Sequence, residues 1–179
     1  MLLLLLLYFY MKWMINMTLI KIGKIVNTHG IKGELRLLSK FPYKDKVFIN
    51  NMNIYINKKD EEVINTYRRH KNFDMITLKG YNNINEVLKY KGSNVYVLKN
   101  DIIFKEGEYL DSDLIGIDVY QKDRLVGKIK RIDKYSTNEV IVIRGNDKDY
   151  LVPWVKELVL DIDLKKKIMV IADLKGLIE

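Results

Sequence analysis

The chain is expected to be mainly β, folded as two small β-barrel domains, and three observations lead there. Short runs rich in β-branched and aromatic residues recur along the 179 residues, separated by clusters of Gly, Asn, Asp and Lys. Only one stretch carries a convincing helical pattern. Charge divides the chain as well: residues 19–99 hold 16 Lys and Arg against 7 Asp and Glu, a net of +9, whereas residues 100–179 hold 14 against 16, a net of −2. A basic half suits phosphate backbones and a mildly acidic half suits a basic protein.

The elements follow in order. Residues 18–26, TLIKIGKIV, read as a strand, and the turn-rich residues 27–33 end it. Residues 34–39 and 53–57 are extended, with the polar cluster 58–62 turning the chain. Residues 62–69 and 74–79 form a hairpin around Lys71-Asn72-Phe73. Asn83-Ile84-Asn85-Glu86 is a capping box: the Asn side chain accepts from a free backbone N–H and Glu86 reaches back. Ile84, Val87 and Leu88 then share a face, and Gly92 supplies a left-handed stop. Residues 94–98 return to strand. The first domain, 19–99, is thus a small barrel or curved sheet with one helix.

Residues 100–112 read as an acidic linker without periodicity. In the second domain, 113–179, strands are expected at 114–120, 124–135, 138–144, 150–155 and 167–172, with a helical turn at 174–178. Gly116, Gly127 and Gly145 are expected at bends or turns.

The composition narrows the function classes. There is no cysteine, which removes disulfides and thiolate metal sites and fits a reducing cytoplasm. The two histidines, His29 and His70, are far apart in sequence and offer little to a metal. No nucleophile–base arrangement and no phosphate-cradling Gly-Lys-Ser/Thr loop stands out, so neither a catalytic residue nor a cofactor is expected. The opening MLLLLLLYFYM is about half the length a membrane helix needs, and Lys12 and Asn16 interrupt it. The sequence lacks the flanks of a signal peptide. Residues 1–18 are read as an extension, with Met17 a plausible true start; a peripheral membrane anchor is the alternative.

Four segments invite a functional reading. In Thr28-His29-Gly30-Ile31-Lys32-Gly33 the glycines permit positive φ and close approach, while His29, Lys32 and the following Arg36 suit phosphate. The same loop is equally a tight turn between strands, with Gly30 and Gly33 present for conformation. Tyr67-Arg68-Arg69-His70-Lys71 interleaves basic and aromatic groups as RNA-binding surfaces do, or is a solvated hairpin tip. In Glu108-Tyr109-Leu110-Asp111 an aromatic and a leucine either pack the junction or anchor a partner. Pro153 belongs at a strand edge or end, and Trp154 beside it is read as a core plug or a surface hot spot.

Taken together, the ordered motifs resemble the bacterial ribosome maturation factor RimM family. Ile22-Gly23-Lys24-Ile25-Val26-Asn27-Thr28-His29-Gly30-Ile31-Lys32-Gly33-Glu34-Leu35, then Phe41-Pro42, look like its amino-terminal signature. Asp113-Leu114-Ile115-Gly116-Ile117-Asp118-Val119, Gly127-Lys128-Ile129, Asn138-Glu139-Val140, Val152-Pro153-Trp154, residues 159–164 and Gly176-Leu177 look like its second domain. The resemblance covers about residues 19–179. It implies a translation-factor-like first barrel and a PRC-type second barrel, and no enzymatic activity. It also implies a cytoplasmic monomer that helps build the head of the small (30S) subunit and process 16S rRNA, by binding small-subunit ribosomal protein number 19 and nearby rRNA. On that basis Tyr109, Leu110 and Trp154 are the expected protein contacts, and His29, Lys32, Arg36, Arg68, Arg69 and Lys71 the expected RNA contacts. The family often carries two adjacent aromatics before its second domain; Tyr109 matches the first, but Leu110 stands at the second. PRC-type barrels also occur in membrane-linked proteins, so a membrane-associated adaptor is the competing expectation.

Overall fold

The computed structural model describes residues 18–173, 176 and 178. The amino-terminal extension and most of the helical turn expected at 174–178 lie outside the described residues. The chain divides into two compact units between Ile103 and Phe104.

The first unit contains β1 (Leu19–His29), β2 (Glu34–Leu38), helix α1 (Lys44–Val47), β3 (Asn53–Ile56), β4 (Asp60–His70), β5 (Phe73–Leu78), α2 (Ile84–Val87) and β6 (Asn94–Leu98). Six antiparallel strands close into a barrel in the order β1-β2-β5-β4-β3-β6. Closure depends on β1, whose carboxy-terminal half pairs with β2 while its amino-terminal half pairs with β6. Bulges at Lys21/Gly23 and Ile25/Asn27 bend it between the two partners. The turn expected from residue 27 therefore begins only at Gly30, because pairing with β2 carries the strand through His29.

Alternation fills the interior. Ile22, Ile25, Leu35, Leu37, Ile54, Ile56, Ile76, Leu78, Val95 and Val97 are buried, each worth roughly 1.5–3 kcal/mol over exposure. The capping box forms as expected: Asn83 Oδ1 accepts from Asn85 N at 2.9 Å and Glu86 Oε2 from Asn83 N at 3.1 Å. Gly92 provides the left-handed stop at φ +86°. Helix α1 was not expected. It is held from outside its own sequence, since Lys44 Nζ donates to the fully buried Asp74 Oδ2 at 2.6 Å and Val47 is sealed in the core.

Beside the barrel, Tyr81 and Tyr90 donate to Glu62 Oε1 at 2.6 and 2.5 Å. Burial, then the hydrogen bonds of its own hydroxyl with Glu62 and with Tyr81, push Tyr90 far above the usual tyrosine range. Burial and a carboxylate partner likewise raise Tyr55 and Tyr67. Because the folded values exceed the unfolded 10.0, the associated stability is complete below that pH and is lost as pH climbs beyond it. The urea midpoint of this unit should fall between about pH 9 and about pH 11, on either side of the ordinary tyrosine value, and Tyr90→Phe should flatten the fall. An unchanged slope in Tyr90→Phe would refute this assignment.

The second unit contains α3 (Asp111–Leu114), β7 (Asp118–Gln121), β8 (Arg124–Lys134), β9 (Glu139–Arg144), β10 (Asp149–Pro153), β11 (Val159–Asp163) and β12 (Ile168–Ile171). The strand order is β10-β9-β8-β7-β12-β11, antiparallel except for β12 with β7. Leu114, Ile117, Val119, Ile129, Ile141, Ile143, Val152, Met169 and Ile171 form its core. Two expectations change here. The strand expected from residue 114 starts only at Asp118, because Leu114 closes α3 and Gly116 turns at φ +86°. A sixth strand, β11, also appears, its acidic alternation belonging to a strand with solvent on one side.

Gly127 is not at a turn but inside β8, where a Cβ would collide with the Arg144 carbonyl. Pro153 ends β10, at the margin of the sheet, where its missing N–H costs no ladder bond.

Candidate functional site

The barrel order β1-β2-β5-β4 places the outer faces of those strands side by side, and a cationic, aromatic cluster forms there. The His29 and His70 rings stack at a centroid separation of 6.3 Å and an interplanar angle of 23°. Arg36 Nη2 lies 3.3 Å from His29 Nδ1, and the Arg36 guanidinium sits 4.9 Å over the Phe73 ring. Arg36 Nε is buried without a hydrogen-bond partner among the described residues. The planar groups present a surface on which a base can stack and a phosphate can be neutralised.

The other expected RNA contacts are placed differently. Arg68 joins the cluster, but its guanidinium is bidentate on Glu34, at 2.7 Å from Nε and 2.5 Å from Nη2. That hydrogen bonding raises its pKa and balances its charge. Arg69 alternates to the Tyr67 side of β4, away from Arg68 and His70. Lys71 occupies the hairpin turn at φ +54°. Lys32 projects from the β1–β2 turn, which packs on α2: Ile84 N donates to Ile31 O at 3.0 Å, and a Cβ at Gly33 would sit 3.0 Å from Asn83 O. Gly30, at φ +64°, faces open space and serves the turn alone. Arg69, Lys71 and Lys32 are exposed and pair with no acidic side chain among the described residues.

The second unit carries a groove of about 640 Å³ between the segment around Tyr109, the loop after β10 and β11. Tyr109 and Trp154 are half-buried and packed on the core, so Trp154 serves as both core plug and groove wall. Val155 and Leu160 stand exposed at the groove, and Glu106, Glu157 and Asp161 outnumber Lys156 around it. Leu110 does not join them. It is 6% exposed and precedes α3, its carbonyl accepting from Asp113 N at 2.8 Å, which corrects its expected place as a surface contact. The groove's apolar wall comes instead from Val159, Leu160 and Ile162 of β11. The alternation of Leu160 and Ile162 with Asp161 and Asp163 was the signal for those two; Val159 lies beyond the bulge at Val159/Asp161, which alternation does not reveal.

Among the described residues no cluster of His, Asp or Glu is arranged to hold a metal ion, and no helix is long and apolar enough to cross a membrane.

Comparison with known proteins is consistent along the chain. The family model for the RimM N-terminal domain matches residues 20–102, and that for the RimM PRC barrel domain matches residues 111–177. The ribosome maturation factor RimM of Staphylococcus haemolyticus is 36% identical over 166 residues, covering 89% of this chain and 99% of that protein. Its counterpart in Staphylococcus aureus is 35% identical with the same coverage. A solved RimM structure from Pseudomonas aeruginosa is 24% identical, covers 87% of this chain and 98% of its own, and superposes with a TM-score of 0.44. With a closed basic barrel followed by a PRC-type domain, and both family models matched in order, the chain belongs to the ribosome maturation factor RimM family.

Proposed function

We propose that the protein matures the small ribosomal subunit as a non-enzymatic assembly factor, holding 16S rRNA with its first barrel and a basic ribosomal protein of the subunit head with its second. The observation that carries this reading is the division of surface chemistry. The Arg36–His29–His70–Phe73 cluster offers RNA a guanidinium set among planar rings. The Tyr109–Trp154–Leu160 groove offers an apolar slot with an acidic rim to a cationic protein. Small-subunit ribosomal protein number 19, the partner implied by the resemblance, is the occupant to test first. Aromatic walls supply a large share of interface energy when desolvated, and the rim carboxylates select for positive charge and speed encounter.

Sedimentation of the tagged protein from a cytoplasmic lysate tests the role. The protein should travel with free small subunits and be absent from whole ribosomes. Recovery in membranes after a high-salt wash, with no ribosomal fraction occupied, would favour a membrane adaptor instead. The division is tested with purified components: Leu160→Asp should weaken ribosomal-protein binding about tenfold, consistent with loss of an interface anchor, and leave RNA binding unchanged. Arg36→Glu should do the reverse, and the opposite ranking would refute the assignment of the two surfaces.

A further inference from the structure

Where the β1–β2 ladder ends, at the pair Lys24 and Leu38, residues 21–24 and 38–42 enclose a cleft of about 520 Å³ that lies outside the cluster described above. Gly23 makes it possible. β1 is bulged there, and a Cβ at this position would press to 3.0 Å from the Leu38 carbonyl. Past the last ladder pair, Ser39 Oγ donates to Ile22 O at 2.5 Å and holds the strands together. The walls are apolar, from Leu38, Phe41 and Pro42, with Leu38 47% exposed. The rim is cationic, from Lys21, Lys24 and Lys40, all exposed and without an ion pair to any described residue.

The cleft is continuous with the cluster. Lys24 and Leu38 alternate outward from the buried Ile25 and Leu37, and Leu37 lies opposite Asp74, the neighbour of Phe73. Leu38, Arg36 and Phe73 therefore share one outer face of the sheet, leading from the lysine rim to the stacked histidines.

We propose that this cleft receives one unpaired nucleotide of RNA, its base against Leu38, Phe41 and Pro42 and its flanking phosphates on Lys21, Lys24 and Lys40, with the strand running on across Arg36 and His29. The inference rests on the RNA-binding reading and makes it specific: the first barrel binds single-stranded RNA in preference to duplex. In a duplex the bases are stacked inward and only the backbone reaches the protein, so an apolar cleft gains nothing. An acidic peptide would satisfy the lysines, but the adjoining plane of guanidinium, imidazole and phenyl groups suits bases.

Fluorescence anisotropy of the full chain with a labelled single-stranded RNA of about 12 nucleotides, a duplex of the same length, and a glutamate-rich peptide tests this. The single strand should bind at least about tenfold more tightly than the duplex, the scale of one stacked base. Leu38→Ser, a neutral change on an exposed side chain, should remove most of that preference while leaving duplex affinity within about twofold, as expected of an apolar rather than a phosphate contact. The double variant Lys24→Ala, Lys40→Ala should reduce the salt dependence of single-strand binding by about 1.4 in slope, the share of two phosphate contacts. Equal weakening of both RNAs by Leu38→Ser, or an unchanged salt slope, would overturn the cleft while the RNA-binding reading stood. Failure of the wild-type chain to bind either RNA would overturn both, as would tighter binding of the peptide.

Discussion

Replacing Asp74 by alanine should cost the first barrel about 3 kcal/mol, the lower end of the range for breaking a buried charge pair. Asp74 is fully buried, accepting from Lys44 Nζ at 2.6 Å and from Tyr67 OH at 3.0 Å. Three elements meet on this carboxylate: β5 carries it, α1 brings the lysine and β4 the tyrosine. Its removal strands both donors and frees α1, whose four residues cannot form a stable helix alone. The lower end applies because Lys44 is 28% exposed and can turn its ammonium to water. Urea unfolding followed through the first unit measures the loss. Asp74→Asn, which retains an acceptor for Tyr67, should cost less. Equal costs in the two variants would assign the effect to the ion pair alone.

The second unit should be as sensitive at Gly127, where alanine is expected to cost about 3 kcal/mol, the upper range for forced overpacking. The backbone φ at Gly127 is not in the positive region, so any residue could adopt it. The obstacle is space. A Cβ there would overlap the Arg144 carbonyl and lie 2.8 Å from the Arg144 carbonyl carbon and 3.1 Å from Gly145 Cα. No flexible side-chain end is available to move aside, so β8 and β9 would have to separate next to the core residues Ile129 and Ile143. Gly116 gives the contrast: its Cβ would meet nothing within 4 Å, but its φ of +86° is left-handed. Alanine at 116 should therefore cost only about 1 kcal/mol, a conformational term. Thermal melts of the two variants compare these mechanisms directly. A smaller loss at 127 than at 116 would show that the strands part easily.

The two proposed surfaces differ in how much of their chemistry local sequence carries. Glycines, basic runs and an aromatic beside a proline marked segments that the fold brings into the cluster and the groove. They did not show that Arg68 is neutralised by Glu34, that Arg69 points away from the cluster, or that Leu110 packs inward. Each of these outcomes depends on a partner or a strand face supplied from elsewhere in the chain. Lys21, Lys24 and Lys40 carried no local signal at all, because a lysine on a strand looks the same whether it rims a cleft or open solvent.

Local sequence alone carries the β class, a hairpin around Lys71-Asn72-Phe73 (whose Phe73 the fold draws into β5), the capping box at Asn83 and Glu86, and the charge difference between the two halves. These rest on interactions within a few residues or on composition, and neither needs knowledge of what lies across the sheet. Long-range pairing sets the rest: β1 closes the barrel by serving two neighbours, α1 forms, Gly127 acts as a spacing residue, and His29 meets His70. Those features depend on antiparallel pairing between distant segments. Register there is fixed by burial of one whole face, so a side chain's neighbours follow from the strand order rather than from its place in the chain.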